Sequence, residues 1–199
     1  ISVADDATIL MQGNGRVTAN YLIRSHHINE NFRVTILRDA KELKIDIPSK
    51  PLVSLIPFEH DKRPNYYIFG GLVFMPLSKN YLYEWGRSWV QKAPIRFVDM
   101  VKNGNIPSEE HKEIVFLQSV LADRENAGYE LSHAIVTEVN GIQIDAFSTL
   151  VKAIENSQDK EVKITLQGGS MIILDKEKAQ AANERLLQRY GIKSSAYLK

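Results

Sequence analysis

Pro64-Asn65-Tyr66-Tyr67-Ile68-Phe69-Gly70-Gly71-Leu72-Val73-Phe74-Met75-Pro76-Leu77-Ser78 is the stretch from which the rest of the sequence can be read. Leu72 to Met75 is a short apolar run of the kind that forms a buried strand. Two adjacent glycines precede it. Glycine tolerates positive φ, so Gly70 and Gly71 can turn the chain tightly and aim successive N–H groups into one concavity, where an anion is held without a charged side chain. A strand leaving such a turn can also accept an added peptide strand, and loop plus edge would then capture a C-terminal carboxylate. The other reading is an ordinary tight turn entering a core strand, which the local sequence favours. The choice depends on the surrounding chain.

The 199 residues suffice for one large domain or two small ones at ~100 to 200 residues each. A 44% hydrophobic and 25% charged composition is that of a globular protein with a real core. With 25 basic against 24 acidic residues there is no electrostatic case for nucleic acid or an anionic membrane as partner. No cysteine is present, which excludes disulfides, thiolate metal sites and cysteine nucleophiles and suits either redox compartment. No apolar run approaches the ~20 residues of a membrane span. The sequence opens at Ile1 with no basic leader or cleavage pattern, so it is expected to be an excised piece of something longer.

Taken in order, Ile9, Leu10 and Met11 form an apolar patch before the turn Gly13-Asn14-Gly15, which lacks the lysine and Ser/Thr of a phosphate loop. Thr18 reads as the N-cap of a helix through Tyr21, Leu22 and about His26. Adjacent helical residues point about 100° apart, so His26-His27 reads as a solvated pair and not a metal site. Phe32, Val34 and Ile36, then Leu43, Ile45 and Ile47, alternate with polar residues around Arg38-Asp39-Ala40-Lys41, the pattern of a hairpin with one wet face. Prolines 48, 51, 57 and 64 punctuate the next stretch, which predicts a linker over 51–64. Beyond the opening stretch, Tyr81, Trp85 and Trp89 fall at helical spacing along one side of a helix over 80–90, a lid over the core or a partner-binding face. A short helix over 94–101 closes at Asn103-Gly104, and Glu113 to Leu121 is the most strand-like run in the chain.

Ala134 to Val139 predicts a strand ending at the hairpin turn Asn140-Gly141. Asp145 is placed to cap a helix over 146–156 whose apolar face is Phe147, Leu150, Val151 and Ile154. A last hairpin, 161–166 with 170–175, precedes an amphipathic helix over 176–190 stopped by Gly191; 194–199 reads as a loose tail. Tyr21-Leu22-Ile23-Arg24 and Val34-Thr35-Ile36-Leu37 are echoed by Thr149-Leu150-Val151-Lys152 and Ile164-Thr165-Leu166-Gln167. A repeat of this length implies two copies of one small domain, the first begun in its middle.

The order of glycine turn, two strands, Glu138-Val139-Asn140-Gly141-Ile142-Gln143-Ile144, helix and hairpin resembles a PDZ domain in the permuted arrangement of HtrA/DegP-type serine proteases. Asn65 to Leu77 and Glu125-Asn126-Ala127-Gly128-Tyr129-Glu130 resemble more closely the second PDZ domain of plant-type Deg proteases and their bacterial relatives. The resemblance implies an α+β fold, a PDZ-like, partly open β-barrel or sandwich of five to six strands capped by helices, preceded by a partial PDZ-like helix-hairpin unit. It divides the chain into 1–50, the C-terminal half of a first PDZ domain, the linker 51–64, a complete second PDZ domain over 65–191 with a helical insertion at 79–112, and the tail 192–199. It also implies a peptide groove: a carboxylate loop of Tyr67, Ile68, Phe69, Gly70 and Gly71, an edge strand of Leu72, Val73, Phe74 and Met75, and a helical wall of Phe147, Leu150, Val151 and Ile154. The adjacent glycines depart from the usual loop, which alternates glycine with apolar residues. In plant-type relatives this domain also contributes to oligomer contacts, for which Tyr81, Trp85 and Trp89 are the candidates.

The protease itself is not in this stretch. Its chemistry needs a serine within Gly-Asn-Ser-Gly-Gly, an oxyanion hole and distant His and Asp residues, and no such pentapeptide occurs. Ser132 and His133 are neighbours expected to point to opposite faces of a strand. His111-Lys112-Glu113 lacks the second histidine of a zinc helix, so neither metal nor cofactor is expected. The expected function is a non-catalytic peptide-binding and assembly region of a trypsin-like serine protease of the quality-control type. Its expected partners are peptides or unfolded segments, its own protease domain and further copies of itself. The alternative is a structural oligomerisation module whose groove the chain fills itself. The resemblance places a bacterial member in the periplasm and plant relatives in organelles or the nucleus.

Overall fold

A computed structural model describes residues 1–13, 15–51, 53–104, 106–108 and 110–199. The chain divides into two compact units, Ile1–Leu52 and Val53–Lys199.

The first unit holds a short hairpin, β1 (Thr8–Met11) with β2 (Gly15–Thr18), the helix α1 (Asn20–Arg24), and a long hairpin, β3 (Asn31–Arg38) with β4 (Lys41–Pro48). Thr18, expected to cap the helix, is the last residue of β2, and Ala19 takes the N-cap position without a side-chain bond. The apolar residues at 9–11, read as a patch, are a strand instead; the turn joining it to β2 includes Asn14, which lies outside the described residues. In the long hairpin the register opposes Phe32 to Ile47, Val34 to Ile45 and Ile36 to Leu43, so the alternation puts six apolar side chains on one face. Asp39 and Ala40 both take positive φ, as a two-residue hairpin turn demands.

The second unit is built on one antiparallel sheet, with eight strands among the described residues. They are β5 (Tyr66–Phe69), β6 (Leu72–Pro76), β7 (Val115–Val120), β8 (Ala134–Val139), β9 (Ile142–Gln143), β10 (Glu161–Leu166), β11 (Met171–Asp175) and β12 (Ala196–Tyr197). Their order is β11-β10-β8-β7-β6-β5-β12, with β9 on β8 across the Asn140-Gly141 turn. Alternation sorts the side chains of β7 and β8 to two sides: Val115, Leu117 and Val136 join one apolar cluster, Phe116 and Ile135 another. The first cluster is closed by α5 (Phe147–Glu155) and α6 (Lys176–Tyr190), which contribute Leu150, Ile154 and Ala179. The second is closed by α2 (Lys79–Tyr83), α3 (Trp89–Lys92) and α4 (Ile95–Asn103), through Leu82, Phe97 and Ala93, the residue just after α3. Burying each such Leu or Phe fully contributes ~1.5 to 3 kcal/mol, and both clusters draw on residues far apart in sequence.

Helix α6 ends as its sequence directs. Asp175 caps α6 by accepting the Lys178 N–H at 3.1 Å, and Gly191 stops it in the left-handed conformation, φ 64°. The cap of α5 differs from expectation: Glu113, from the strand side, accepts the Phe147 N–H at 2.8 Å. Asp145 instead accepts the Thr149 hydroxyl and pairs with Lys112.

Three further expectations are corrected. Part of the stretch read as linker is packed onto the second unit: Leu55 and Ile56 are buried in its second cluster, and Glu59 and Asn80 exchange two hydrogen bonds, of 2.8 and 2.7 Å. The helix predicted over 80–90 is broken at Gly86, φ 78°, into α2 and α3. The tail read as loose is ordered against the sheet as β12. Among the described residues no helix is long and apolar enough to cross a membrane.

Candidate functional site

The expected groove rested on Leu72 to Met75 being an edge and on Gly70-Gly71 offering free amides. Neither holds. Strand β6 is interior, paired with β5 on one side and with β7 on the other. The chain folds back over the double glycine as a two-residue hairpin turn, Phe69 opposite Leu72, with φ of 56° and 86°.

That turn is sealed by side chains from elsewhere. The Gly70 N–H donates to Asn183 Oδ1 of α6 at 3.0 Å, its carbonyl accepts from Asn126 Nδ2 at 2.7 Å, and the Gly71 carbonyl accepts from the Leu121 N–H at 2.8 Å. A Cβ on Gly70 would lie 2.8 Å from Leu174 and 2.9 Å from Ala179; one on Gly71 would lie 2.5 Å from the Leu121 carbonyl oxygen. Glycine is required here for close approach, and the Gly70 amide is already taken. Asn126 is itself held by a capping box with Asp123 at the 3-10 turn Arg124–Asn126. The Asp123 carboxylate receives two bonds from Arg185 of α6, at 2.6 and 2.9 Å, which push its pKa down to about 2.

The helix-side residues Phe147, Leu150, Val151 and Ile154 do meet Tyr67, Phe69, Leu72 and Phe74, as the resemblance implies, but as one buried cluster rather than the two walls of an open cleft. Ile68 is buried outside that cluster, and Val73 is half-buried. Burial pushes the Tyr67 phenol up to about 12, with the Glu155 carboxylate adding to the shift.

The open feature lies one strand further out. The outer edge of β5 carries β12, with Ala196 opposite Tyr67 and Tyr197 opposite Tyr66, and the Ile68 N–H donates to the Ser195 carbonyl at 2.7 Å. The Tyr66 hydroxyl donates to the Ser194 carbonyl at 3.0 Å, and Asn65 Oδ1 accepts the Lys199 N–H at 3.2 Å. Between this segment and α5 runs a cleft of about 390 Å³, floored by Phe147 and Val151 and rimmed by Lys152, Glu155 and Leu198. The outer edge of β5 is thus covered by the chain's own β12, and α5 stands beside it. Sequence reasoning missed Asn65 and residues 194–199; the one local signal was Tyr197-Leu198, a strand-forming pair too short to read as a strand.

The three aromatics proposed for an interface separate. Tyr81 and Trp85 turn inward, edge to face at 5.1 Å, with Tyr81 against Phe116 and Trp85 against His133. Trp89 packs instead on Tyr83 at 5.8 Å, and Tyr83 on Phe58 at 5.7 Å, in a partly exposed row. Ser132 and His133, expected on opposite faces, are joined: Ser132 Oγ lies 3.1 Å from His133 Nδ1, because His133 takes φ 57° just before β8 begins. Burial among the rings, followed by the charge of Arg96, lowers the His133 pKa.

A family model for the PDZ domain matches residues 57–197, spanning both the sheet and the β12 segment. The chain is 27% identical over 197 residues to the mitochondrial protease Do-like 4 of Arabidopsis thaliana, covering 98% of this chain and 35% of that protein. It is 29% identical over 197 residues to the putative mitochondrial protease Do-like 12 of the same plant, covering 98% of this chain and 36% of that protein. A serine protease DegP homolog of Plasmodium falciparum is 28% identical over 155 residues, 77% of this chain and 17% of that protein. The chain thus spans about a third of the length of these plant relatives. With its sheet, its helical wall and its Asn-Gly hairpin in the expected order, this chain belongs to the PDZ domain family and matches the PDZ region of Deg/HtrA-type proteases.

Proposed function

We propose that this chain is the non-catalytic peptide-handling and assembly region of a trypsin-like serine protease of the Deg type, and that it takes extended peptides by strand addition at β5. The observation that carries the reading is the β5–β12 pairing beside α5: this edge accepts a strand, and an apolar cleft lies next to it. Recognition there runs through the β5 backbone and alternate side chains. The sealed Gly70-Gly71 turn takes no part, so a free C-terminal carboxylate is not required.

Calorimetric titration of the 199-residue chain with extended apolar peptides, each with a free and an amidated end, tests this. The expected result is micromolar binding that survives amidation, together with new exchange protection at the amides of β5. Binding abolished by amidation would return the site to a carboxylate loop.

A second reading is favoured by the same β12: the edge stays permanently filled by the chain, and the region only sets assembly geometry. The row Phe58, Tyr83 and Trp89 would then be the contact surface. Failure of every peptide to bind, with a Trp89→Ala change in solution mass, would select it.

A further inference from the structure

Strand β12 is an unusual occupant of its edge. Only two of its residues pair with β5, and the side chain it turns toward the main apolar cluster is that of Ala196, a single methyl group. Strand alternation puts Leu198 on the same side as Ala196, at the rim of the cleft above Phe147 and Val151, where it remains 50% exposed. The bond from Ile68 to Ser195 makes Tyr66 and Tyr197 the next hydrogen-bonded pair, so the ladder rests on few bonds. The polar fastenings, Tyr66 to Ser194 and Asn65 to Lys199, are exposed and exchange readily with water. The edge thus holds a strand that completes its hydrogen bonds while using little of the apolar surface beside it.

We infer that residues 194–199 are a resident pseudo-ligand that gates this edge. The ligand that replaces it is an extended peptide bearing aliphatic side chains at the alternate positions now held by Ala196 and Leu198. This rests on the strand-addition reading above and adds to it both a competitor and a side-chain preference. A larger side chain at the Ala196 position buries more of the α5 wall than one methyl does, so the incoming peptide exceeds the resident strand in apolar contact while repeating its backbone bonds. The resident strand lowers the apparent affinity of any such peptide by the fraction of time the edge is free, which is how one chain keeps an exposed edge from pairing indiscriminately.

The test uses the 199-residue chain, its Tyr197→Pro variant, and two fluorescent, amidated peptides. One has the sequence of residues 192–199, Ile-Lys-Ser-Ser-Ala-Tyr-Leu-Lys; the other carries Val in place of its alanine. Proline removes the ladder N–H of residue 197 and leaves the core untouched. Amide exchange at Ile68 reports release of the segment, and exchange at Val162 and Ile164 reports that the fold persists. The expected result is faster exchange at Ile68 alone, about tenfold tighter binding of both peptides to the variant, and tighter binding of the valine peptide than of the alanine peptide to either protein. Equal affinity of the two proteins, with Ile68 exposed in the variant, overturns the gate while leaving strand addition intact. No binding to the variant, with Ile68 exposed, overturns strand addition itself. A chain shortened by residues 195–199 replaces the variant if proline disturbs Val162 or Ile164, and the same outcomes decide.

Discussion

The two units carry the same helix-and-hairpin pattern and differ in what lies over it. In the second unit, Val162, Ile164, Leu166, Ile172 and Leu174 of the last hairpin are buried, and Leu150 and Ile154 of α5 close over them. In the first, the matching alternation leaves Phe32, Val34 and Ile36 half-buried and Leu43, Ile45 and Ile47 exposed, while Ile23 of α1 stands 52% exposed. Ile9 is the one fully buried hydrophobic residue among the described residues of 1–51. The difference follows from β5, β6 and β7, which supply Phe69, Leu72, Phe74 and Leu117 to the second core and have no counterpart among the described residues of the first unit. A period of two specifies which face of a hairpin is apolar, but only other strands bury it.

Matched truncations test this contrast most severely. Leu150→Ala should cost about 4 kcal/mol in denaturant unfolding, because a fully buried leucine leaves a cavity in a closed core. Its repeat partner, Leu22→Ala, should cost about 1 kcal/mol, read from amide exchange of the β3–β4 hairpin. Equal losses would mean that the first hairpin is covered as well as the second. The turns should differ next. Gly71→Ala forces a Cβ against the Leu121 carbonyl at positive φ and should cost about 3 kcal/mol. In the open turn of the first hairpin, Ala40→Gly relieves a positive φ and should be neutral or stabilising by about 1 kcal/mol or less in thermal unfolding.

The ion pairs sharpen the same contrast on a smaller scale. Arg185→Ala leaves the Asp123 side chain, 2% exposed, without its main partner and should lower the unfolding midpoint clearly. Arg33→Ala breaks an exposed pair with Asp46 and should leave the unfolding midpoint nearly unchanged. The pH dependence has a definite sign. The Asp123 pKa in the folded chain, about 2, lies below its ordinary 3.8, so a proton favours the unfolded chain. The stability this group contributes is complete above pH 4 and is lost as the pH falls from 4 toward 2. Asp123→Asn should flatten that acid limb in a pH series of unfolding midpoints. Asp46→Asn, at an exposed pair whose carboxyl Arg33 also holds below its ordinary pKa, should flatten it less.

Much of this was legible from residue patterns alone. Strands β8 and β10, the Asn140-Gly141 turn, and α6 with its Asp175 and Gly191 ends follow from alternation, capping and turn chemistry, all local effects. The site was less legible because it depends on partners distant in sequence. Nothing in Phe69-Gly70-Gly71-Leu72 announces that Asn183 and Asn126 will occupy its polar groups, so a sealed turn and a carboxylate loop read alike. Whether β6 is interior or at an edge was decided by β5, four residues whose pairing no periodicity reveals, and the new edge by the two-residue β12. The helix over 80–90 looked continuous because the spacing of Tyr81, Trp85 and Trp89 outweighed one glycine. At Gly86 the backbone turned, and two aromatics went inward.

The fastening of Gly70 by Asn183 has a practical consequence for anyone trimming this protein. Helix α6 follows the last long hairpin and looks like an appendage, yet Asn183 receives the Gly70 N–H, Ala179 lies against the same turn and Arg185 restrains the 3-10 segment that supports it. A fragment ending at Asp175 would keep most of the sheet and lose what clamps its β5–β6 corner, so expression boundaries should be drawn beyond Gly191 even when the sheet alone is wanted.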